Sequence, residues 1–373
     1  EGVATVQRMV VRREDAQGVA EDRPRLQVRI GVEPTDDREA DAPLEFVKRV
    51  IDNPETALDG APPARVEYPE LAVLEGLLMD APPVSAAAAR VTADGELELV
   101  RDAALRKLET RWSDVFPVRK PAGVDLLVVN DEAWDAPERW LAFLRDHPDA
   151  WRSIEVLDDL VLVTAYVLGD LALDPLLAGL LKRACELVQR QVAPNGTAAG
   201  RLDWDLGENR APLRLLAFRA RRLARDPAEP FAMPAFFELC EQLLVLDPVD
   251  HHGVRALLAQ GYLMRGEALR ALALGDPDPE HDIALLNHVL ALHLAGREAD
   301  ARAALAEHGA RCGELIAALL ADPPPEPEPA PVDPSSDEGF AAHVQAVTAA
   351  AYRGHMRPVW ERSGALAWLV AQR

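Results

Sequence analysis

Apolar residues recur every three or four positions over most of the chain from residue 137 to 308, which is the spacing of amphipathic helices. Pro, Gly, Asp and Asn interrupt this pattern where helices are expected to stop and start. The predicted helices cover residues 137–146, 151–168, 174–192, 209–225, 233–246, 251–265, 267–274, 281–295 and 297–308. Two further helices are predicted near residues 338–352 and 357–371. The pattern therefore predicts a mainly α fold.

A different pattern occupies residues 1–132. The segment RLQVRIGVEP alternates apolar with polar or small residues, as a half-buried strand does, and VQRMVVRR is expected to pair with it as a hairpin. GELELV and GVDLLVVN are further strand candidates. Helical spacing is found in APLEFVKRVI, YPELAVLEGLLM and RDAALRKLETRW. Residues 1–132 are therefore predicted to form a smaller N-terminal α+β domain, followed by helical repeats over residues 133–321.

The segment DPPPEPEPAPVDPSSDEG, residues 322–339, alternates proline with acidic residues. Such a segment cannot bury apolar surface, so residues 322–338 are predicted to be an extended or disordered linker. Residues 339–373 are predicted to be a C-terminal helical pair. This pair is expected to dock on the repeats, because VWERSGALAWLV carries two tryptophans and a set of leucines at helical spacing.

A self-similarity at a fixed offset links GYLMRGEALRALAL to LALHLAGREADARAAL. The aligned pairs are Tyr262 with Leu292, Gly266 with Gly296, and Ala271 with Ala301. The Gly permits a tight turn between two helices, and the Ala lets the second helix approach the first. Together with FFELCEQLLVLDP, which ends a preceding helix at Pro248, these residues resemble the tetratricopeptide repeat over residues 233–308, although the first-helix Trp of that repeat is absent. The resemblance implies a solenoid of helical hairpins.

A broader resemblance is carried by LDWDLGENRAPLRLLA, by LDPVDHHGVRALL and by a closing W…GALAWL. These segments are similar to bacterial tetratricopeptide-type proteins that are distantly related to the suppressor-of-tumorigenicity 7 family. The similarity covers about residues 134–373 and leaves residues 1–132 unexplained. It implies a helical scaffold and no established reaction.

Two adjacent histidines, His251 and His252, follow Asp250 at the predicted start of a helix. Asp250 is placed to cap that helix with its carboxylate, so both histidines are expected in the first turn. One repeat later His281 takes a similar position, which makes these three histidines weak candidates for a metal site on a shared rim. A metal site needs three or four converging donors, so helix-start residues are the favoured interpretation, and no metal or cofactor is expected.

A basic stripe is predicted on the helix NRAPLRLLAFRARRLARD. At 100° per residue, one narrow arc of this helix carries Arg210, Arg214, Arg221 and Arg225. One interpretation is a groove that binds an acidic peptide or a C-terminal carboxylate, which suit the guanidinium fork. The other, which is favoured, is internal pairing with acids of a neighbouring helix, such as those in IEVLDDL or FFELCEQ.

Charge and cysteine content narrow the function classes. The formal net charge of −22 is spread along both halves of the chain, which disfavours nucleic acid and anionic membranes as partners. Three widely spaced cysteines without a CxxC motif indicate a reducing compartment, so a cytoplasmic location is expected. No run of about 18 apolar residues and no basic leader occurs. Since the chain begins at Glu1 and not at Met, a removed leader or tag stays open.

Motifs with a known catalytic mechanism are absent from the sequence, including GxxxxGK(S/T), GxGxxG after a strand, HExxH and GxSxG. Asp203, Asp205 and Glu208 in RLDWDLGEN are candidates for paired acid–base carboxylates. A polar loop with a group that caps the next helix is the favoured interpretation of these acids.

Three functional hypotheses follow. The favoured one is a protein-interaction scaffold that binds a peptide or partner protein on a concave helical face, with the stripe arginines as contact residues. The alternative is an enzyme whose active site lies in the N-terminal domain or at its junction with the helices, near Arg119, Lys120 and Asp131. A third hypothesis makes the N-terminal domain the functional unit and the repeats the part that oligomerises it. The sequence leaves the oligomeric state open.

Overall fold

The computed structural model describes residues 3–14, 20–31, 69–119, 128–129, 134, 136–168, 175–224, 234–322 and 337–372. This part of the chain is mainly helical, which confirms the predicted fold class at that level. Two compact units are distinguished, one formed by residues 1–80 and 137–142 and the other by residues 81–136 and 143–373.

The first unit contains a long antiparallel hairpin. Strand β1 (Val3–Glu14) pairs with β2 (Ala20–Gly31), with Val3 opposite Gly31 and Glu14 opposite Ala20. The hairpin predicted for these segments is therefore confirmed. Helix α1 (Pro69–Met79) confirms the helical spacing of YPELAVLEGLLM. The helix predicted in APLEFVKRVI lies outside the described residues.

The remaining described strands form short antiparallel pairs. Strand β3 (Arg90–Val91) pairs with β4 (Leu97–Glu98), and β5 (Val118–Arg119) pairs with β6 (Val128–Val129). The strand candidate GELELV is confirmed as β4, which is shorter than its apolar pattern. The described part of GVDLLVVN is confirmed as β6, and the rest of that segment lies outside the described residues.

Helices make up the rest of the described secondary structure. They are α2 (Ala103–Val115), α3 (Pro137–Asp146), α4 (Ile154–Leu168), α5 (Pro175–Val192), α6 (Gly207–Ala224), α7 (Pro234–Leu246), α8 (Val254–Met264), α9 (Ala268–Leu272), α10 (Asp282–Leu294), α11 (Glu298–His308), α12 (Gly313–Leu320), α13 (Asp337–Arg362) and α14 (Ala365–Ala371). A short 3-10 helix, Pro148–Arg152, precedes α4. No helix in the described part of the chain is long and apolar enough to cross a membrane.

The C-terminal region differs from the sequence prediction. Helix α12 occupies a segment for which no helix is predicted, and α13 begins at Asp337, within the segment predicted to be linker. The last two helices are predicted to divide before residue 357, but α13 continues through Pro358. The break falls at Gly364, whose φ of 76° is a left-handed conformation that glycine adopts without a Cβ clash.

The helices of the second unit pack mostly against their neighbours in the chain, from α4 to α8, and α8 packs against α10. Helix α13 packs on α12 and α8, while α14 packs on α10. Trp360 and Met356 of α13 are fully buried. Tyr352 donates from its hydroxyl to Oδ1 of the buried Asn287 over 3.0 Å, which ties α13 to α10.

Two successive hairpins, α8–α9 and α10–α11, share one turn geometry. Gly266 and Gly296 close α8 and α10 with φ of 75° and 74°. In each turn the amide after the glycine donates to a carbonyl in the last turn of the helix. These bonds join Glu267 to Tyr262 (2.8 Å) and Arg297 to Leu292 (2.9 Å). The aligned glycines are therefore equivalent in structure.

Candidate functional site

Helix α6 carries the arginine stripe. One member of the stripe, Arg214, binds a buried acid. Its Nε and Nη2 donate to Oδ1 and Oδ2 of Asp158 at 3.0 and 2.7 Å. Asp158 is fully buried on α4. Burial opposes the charge of Arg214, but the surrounding carboxylates, Asp158 foremost, outweigh it, so the pKa of Arg214 is raised. Arg214 is thus paired with an acid of IEVLDDL, as the internal-pairing interpretation expects.

Arg210 and Arg221 bond to backbone carbonyls. Nε of Arg210 donates to the carbonyl of Trp204 over 3.1 Å, and its guanidinium lies 5.4 Å from the centre of that indole ring. Nη2 of Arg221 donates to the carbonyl of His252 over 2.8 Å. Arg225 lies outside the described residues. The described arginines of the stripe therefore connect α6 to α4 and to two loops.

The second of these loops is the histidine turn, residues 247–253. The carboxylate of Asp247 accepts the amides of Asp250 and His251 at 3.3 and 2.8 Å, and its Oδ1 lies 2.8 Å from Nδ1 of His251. Asp250 and Gly253 have φ of 69° and 66°, which is incompatible with a helix. Both histidines therefore precede α8 and do not lie in its first turn, which corrects the sequence prediction.

Asp250 nevertheless caps α8 as predicted. Its Oδ1 and Oδ2 accept the amides of Val254 and Arg255 at 2.7 and 2.8 Å. Burial raises the pKa of Asp250, while the two amide bonds and the charge of Arg255 act in the opposite direction. The bonds from its carboxylate to the first amides of α8 are therefore confirmed, whereas the N-cap position is Gly253 and not Asp250.

Trp204 joins the acidic loop to the histidine turn. Its ring stacks on that of His251 with centroids 4.5 Å apart and an angle of 6°, and it meets His252 edge-on at 5.2 Å. Trp204 is a site residue that was not predicted from the sequence. An aromatic residue placed between the acids of RLDWDLGEN was the available signal, because an indole rarely stays unpacked in a polar loop.

Asp203 and Asp205 lie in the loop before α6, whereas Glu208 lies in the first turn of α6, and these acids make different contacts. Asp203 accepts the amide of Asp205 over 3.0 Å, which folds the loop on itself. Glu208 forms an ion pair with Arg101. These bonds agree with the favoured interpretation of a polar loop.

His281 lies at the start of α10, where its Nδ1 accepts the amide of Ala284 over 3.3 Å, and its ring lies beside Gly253 of the histidine turn. It is therefore a helix-capping residue. Over the ranges that the structure describes, no three His, Cys, Asp or Glu side chains are arranged to hold a metal ion.

A pocket of about 130 Å³ opens between α8, α9 and α10. Small side chains from all three helices line it: Ala256, Ala259, Ala271, Ala284 and Ala291. Polar side chains complete the lining: Asp250, Arg255, Asp278, His281, Asn287 and His288. His281 and the cap Asp250 are thus brought together in a pocket. The sequence predicted that His281 shares a rim with the histidines after Asp250, but not the pocket itself, which depends on how two hairpins pack.

The polar side chains that line this pocket differ in their hydrogen bonds and in their electrostatic surroundings. Nη2 of Arg255 donates to the carbonyl of Pro248 over 2.9 Å. Burial lowers the pKa of His288, with the charges of Arg297 and His308 acting in the same direction and that of Asp276 against them. The described lining includes no hydroxyl or thiol side chain.

The residues named for the enzyme alternative are only partly described. Arg119 ends β5, whereas Lys120 and Asp131 lie outside the described residues. The described residues therefore do not test this alternative.

Comparisons of the chain with protein-family models, with curated proteins and with solved structures gave no match. The tetratricopeptide resemblance therefore depends on the residues of this chain alone. The pocket between α8, α9 and α10 is the candidate functional site.

Proposed function

We propose that the protein is an interaction scaffold of tetratricopeptide-like helical hairpins, which binds a peptide segment of a partner protein. The binding surface is the pocket between α8, α9 and α10 and the groove around it. The observation that carries this proposal is the pocket itself, since concave sites between stacked helical hairpins commonly bind extended peptides.

The shared turn geometry of the two hairpins supports the repeat interpretation. Ala271 and Ala301 occupy equivalent positions in α9 and α11, and both are buried. Tyr262 and Leu292, the large aligned residues before each turn, are buried as well. The first helices of the two hairpins, α8 and α10, pack against each other, as successive units of a helical repeat are expected to do.

The residues that contact the partner in this proposal lie in a different part of the molecule from the arginine stripe. Arg210 and Arg214 bind Trp204 and Asp158, so their task in this scheme is to hold the scaffold together. Arg255 lines the pocket, and in this proposal it replaces the stripe arginines as the cationic residue that contacts the partner.

The test is a capture experiment with a blocked pocket. In Ala259→Phe a large ring fills the space beside α8, whereas Ala303→Phe puts the same ring on an exposed position of α11 outside the pocket. Proteins from the native source that are retained by the wild-type chain and by Ala303→Phe, but lost with Ala259→Phe, are identified by mass spectrometry. Each is then purified and titrated against all three chains by calorimetry.

We expect a direct partner whose affinity falls at least about tenfold with Ala259→Phe and stays within about twofold with Ala303→Phe. Circular dichroism and thermal unfolding establish that the variants are equally folded. If purified partners bind Ala259→Phe as tightly as the wild type, the pocket is not the binding surface and the proposal fails.

A further inference from the structure

The size of the pocket indicates what enters it. Its volume of about 130 Å³ is close to that of an engineered apolar cavity of about 150 Å³ that binds benzene. The alanines on α8, α9 and α10 leave this space open, and Leu274 and Pro277 add apolar surface at its edge. One aromatic ring therefore fills the pocket.

The side chains beside this space suit an aromatic guest. His281 and His288 line the pocket from α10, and their flat rings make favourable edge or face contacts with another ring. Arg255 lines the pocket from α8 and can contact a ring through its guanidinium.

The rim of the pocket is rich in donors. Nδ1 of His281 accepts the amide of Ala284, so the neutral ring carries its proton on Nε2, which lies on the side of Gly253. Arg255 supplies further guanidinium donors, and one of them reaches Pro248. These donors favour an acceptor on the ligand, and a carboxylate is the acceptor that best matches a guanidinium.

The two acidic side chains of the pocket accept hydrogen bonds from backbone amides. Asp250 accepts the amides of Val254 and Arg255, and Asp278 accepts the amide of Glu280 over 2.9 Å. The positive charge of Arg255 acts to lower the pKa of Asp250, against the effect of burial. The exposed Asp278 opposes an anionic ligand, so its removal should strengthen the binding of one.

We infer that the pocket binds the aromatic side chain of a peptide in which a neighbouring carboxylate pairs with Arg255. The inference rests on the proposed function, because it names the chemistry of the segment that the scaffold holds.

The test uses three small probes with the full chain, titrated by ligand-observed NMR. 3-Phenylpropionate combines ring and carboxylate, 3-phenylpropanol keeps the ring alone, and butyrate keeps the carboxylate alone. We expect 3-phenylpropionate to bind most tightly. Arg255→Gln should weaken it about tenfold or more while leaving 3-phenylpropanol unchanged, and Asp278→Asn should strengthen it.

Matched variants control for folding and surface charge. Arg302→Gln removes an exposed arginine of α11 outside the pocket and should leave every probe unchanged. Ala259→Phe and, independently, Ala284→Leu should abolish binding of both ring-bearing probes, so that the result does not depend on one variant folding correctly.

Several outcomes would overturn the inference. They are equal binding of 3-phenylpropionate and 3-phenylpropanol, equal binding of butyrate, no effect of Arg255→Gln, or no binding of any probe at millimolar concentration. 3-Phenylpropionate should also displace the captured partner. A partner that depends on Ala259 but is not displaced keeps the proposed function and refutes the inference, whereas a probe that binds when no partner depends on the pocket refutes the proposed function.

Discussion

Arg214 and Asp158 form a two-point ion pair that joins α6 to α4, and the carboxylate of this pair is fully withdrawn from solvent. Because removing a carboxylate from water costs several kcal/mol, the pair stabilises the fold only while both partners are present. The formal charge of −22 means that acids greatly outnumber bases in this chain. In such a chain, the arginines of the stripe first bind acids and carbonyl groups within the protein. They are available to a ligand only after these internal contacts are made.

Replacing Arg214 by Met should lower the free energy of unfolding by about 3–5 kcal/mol, since the buried carboxylate of Asp158 would lose the two charged hydrogen bonds from Arg214. The measurement is urea unfolding followed by circular dichroism. The double variant Arg214→Met with Asp158→Leu should recover most of the loss, because two apolar side chains can replace a buried pair.

Arg302→Met is the matched control, since Arg302 forms an exposed ion pair with Glu298 on α11. It should change the free energy of unfolding by less than about 1 kcal/mol. If Arg214→Met is no more destabilising than this control, the pair between α6 and α4 does not stabilise the fold. The interpretation of the arginine stripe as a ligand-binding surface would then be favoured again.

The stacked rings of Trp204 and His251 should be energetically coupled. In a double-mutant cycle with Trp204→Leu and His251→Ala, we expect a coupling energy of about 0.5–1.5 kcal/mol, as stacked aromatic pairs show. Each single variant loosens the same two loops, so the second change should cost less once the first is made. Additive losses within about 0.3 kcal/mol would show that the rings only lie side by side.

The helices could be predicted from the sequence because their signals are local. Pro234 and Pro175 begin α7 and α5, glycines at 266 and 296 end α8 and α10, and apolar spacing fills the intervals. The cap formed by Asp250 was equally accessible, since it depends on amides only four and five residues away. Such features need no knowledge of which helices meet.

The candidate site could not be predicted in the same way. The pocket collects residues from three helices, and the stack of Trp204 on His251 joins segments far apart in the chain. Helical spacing shows that the stripe arginines share a face but not which neighbour that face meets. The position of His251 and His252 was missed because Asp250 adopts a positive φ, which is uncommon for a residue with a side chain.

The two turn glycines should respond alike to substitution. Gly266→Ala and Gly296→Ala place a Cβ at φ of 75° and 74°, and each should destabilise the chain by about 1–2 kcal/mol although no atom obstructs the new methyl group. Gly354→Ala, inside α13 and also unobstructed, should instead stabilise it by about 0.5–1 kcal/mol. Thermal and urea unfolding measure all three. A cost at Gly266 without one at Gly296 would contradict the equivalence of the two hairpins.

The half-buried His288 should make stability depend on pH. Its pKa lies below the ordinary value of 6.5, mainly because of burial, so the unfolded chain takes up a proton before the folded chain does as the pH falls. The stabilisation from the neutral ring is therefore fully present above about pH 6.5 and is lost as the pH falls through the folded pKa. Between about pH 8 and about pH 5, the wild type should lose more unfolding free energy than His288→Gln, measured by urea unfolding at each pH. Parallel profiles for the two chains would mean that His288 keeps the same pKa on unfolding, so that its burial in the folded chain does not lower its pKa.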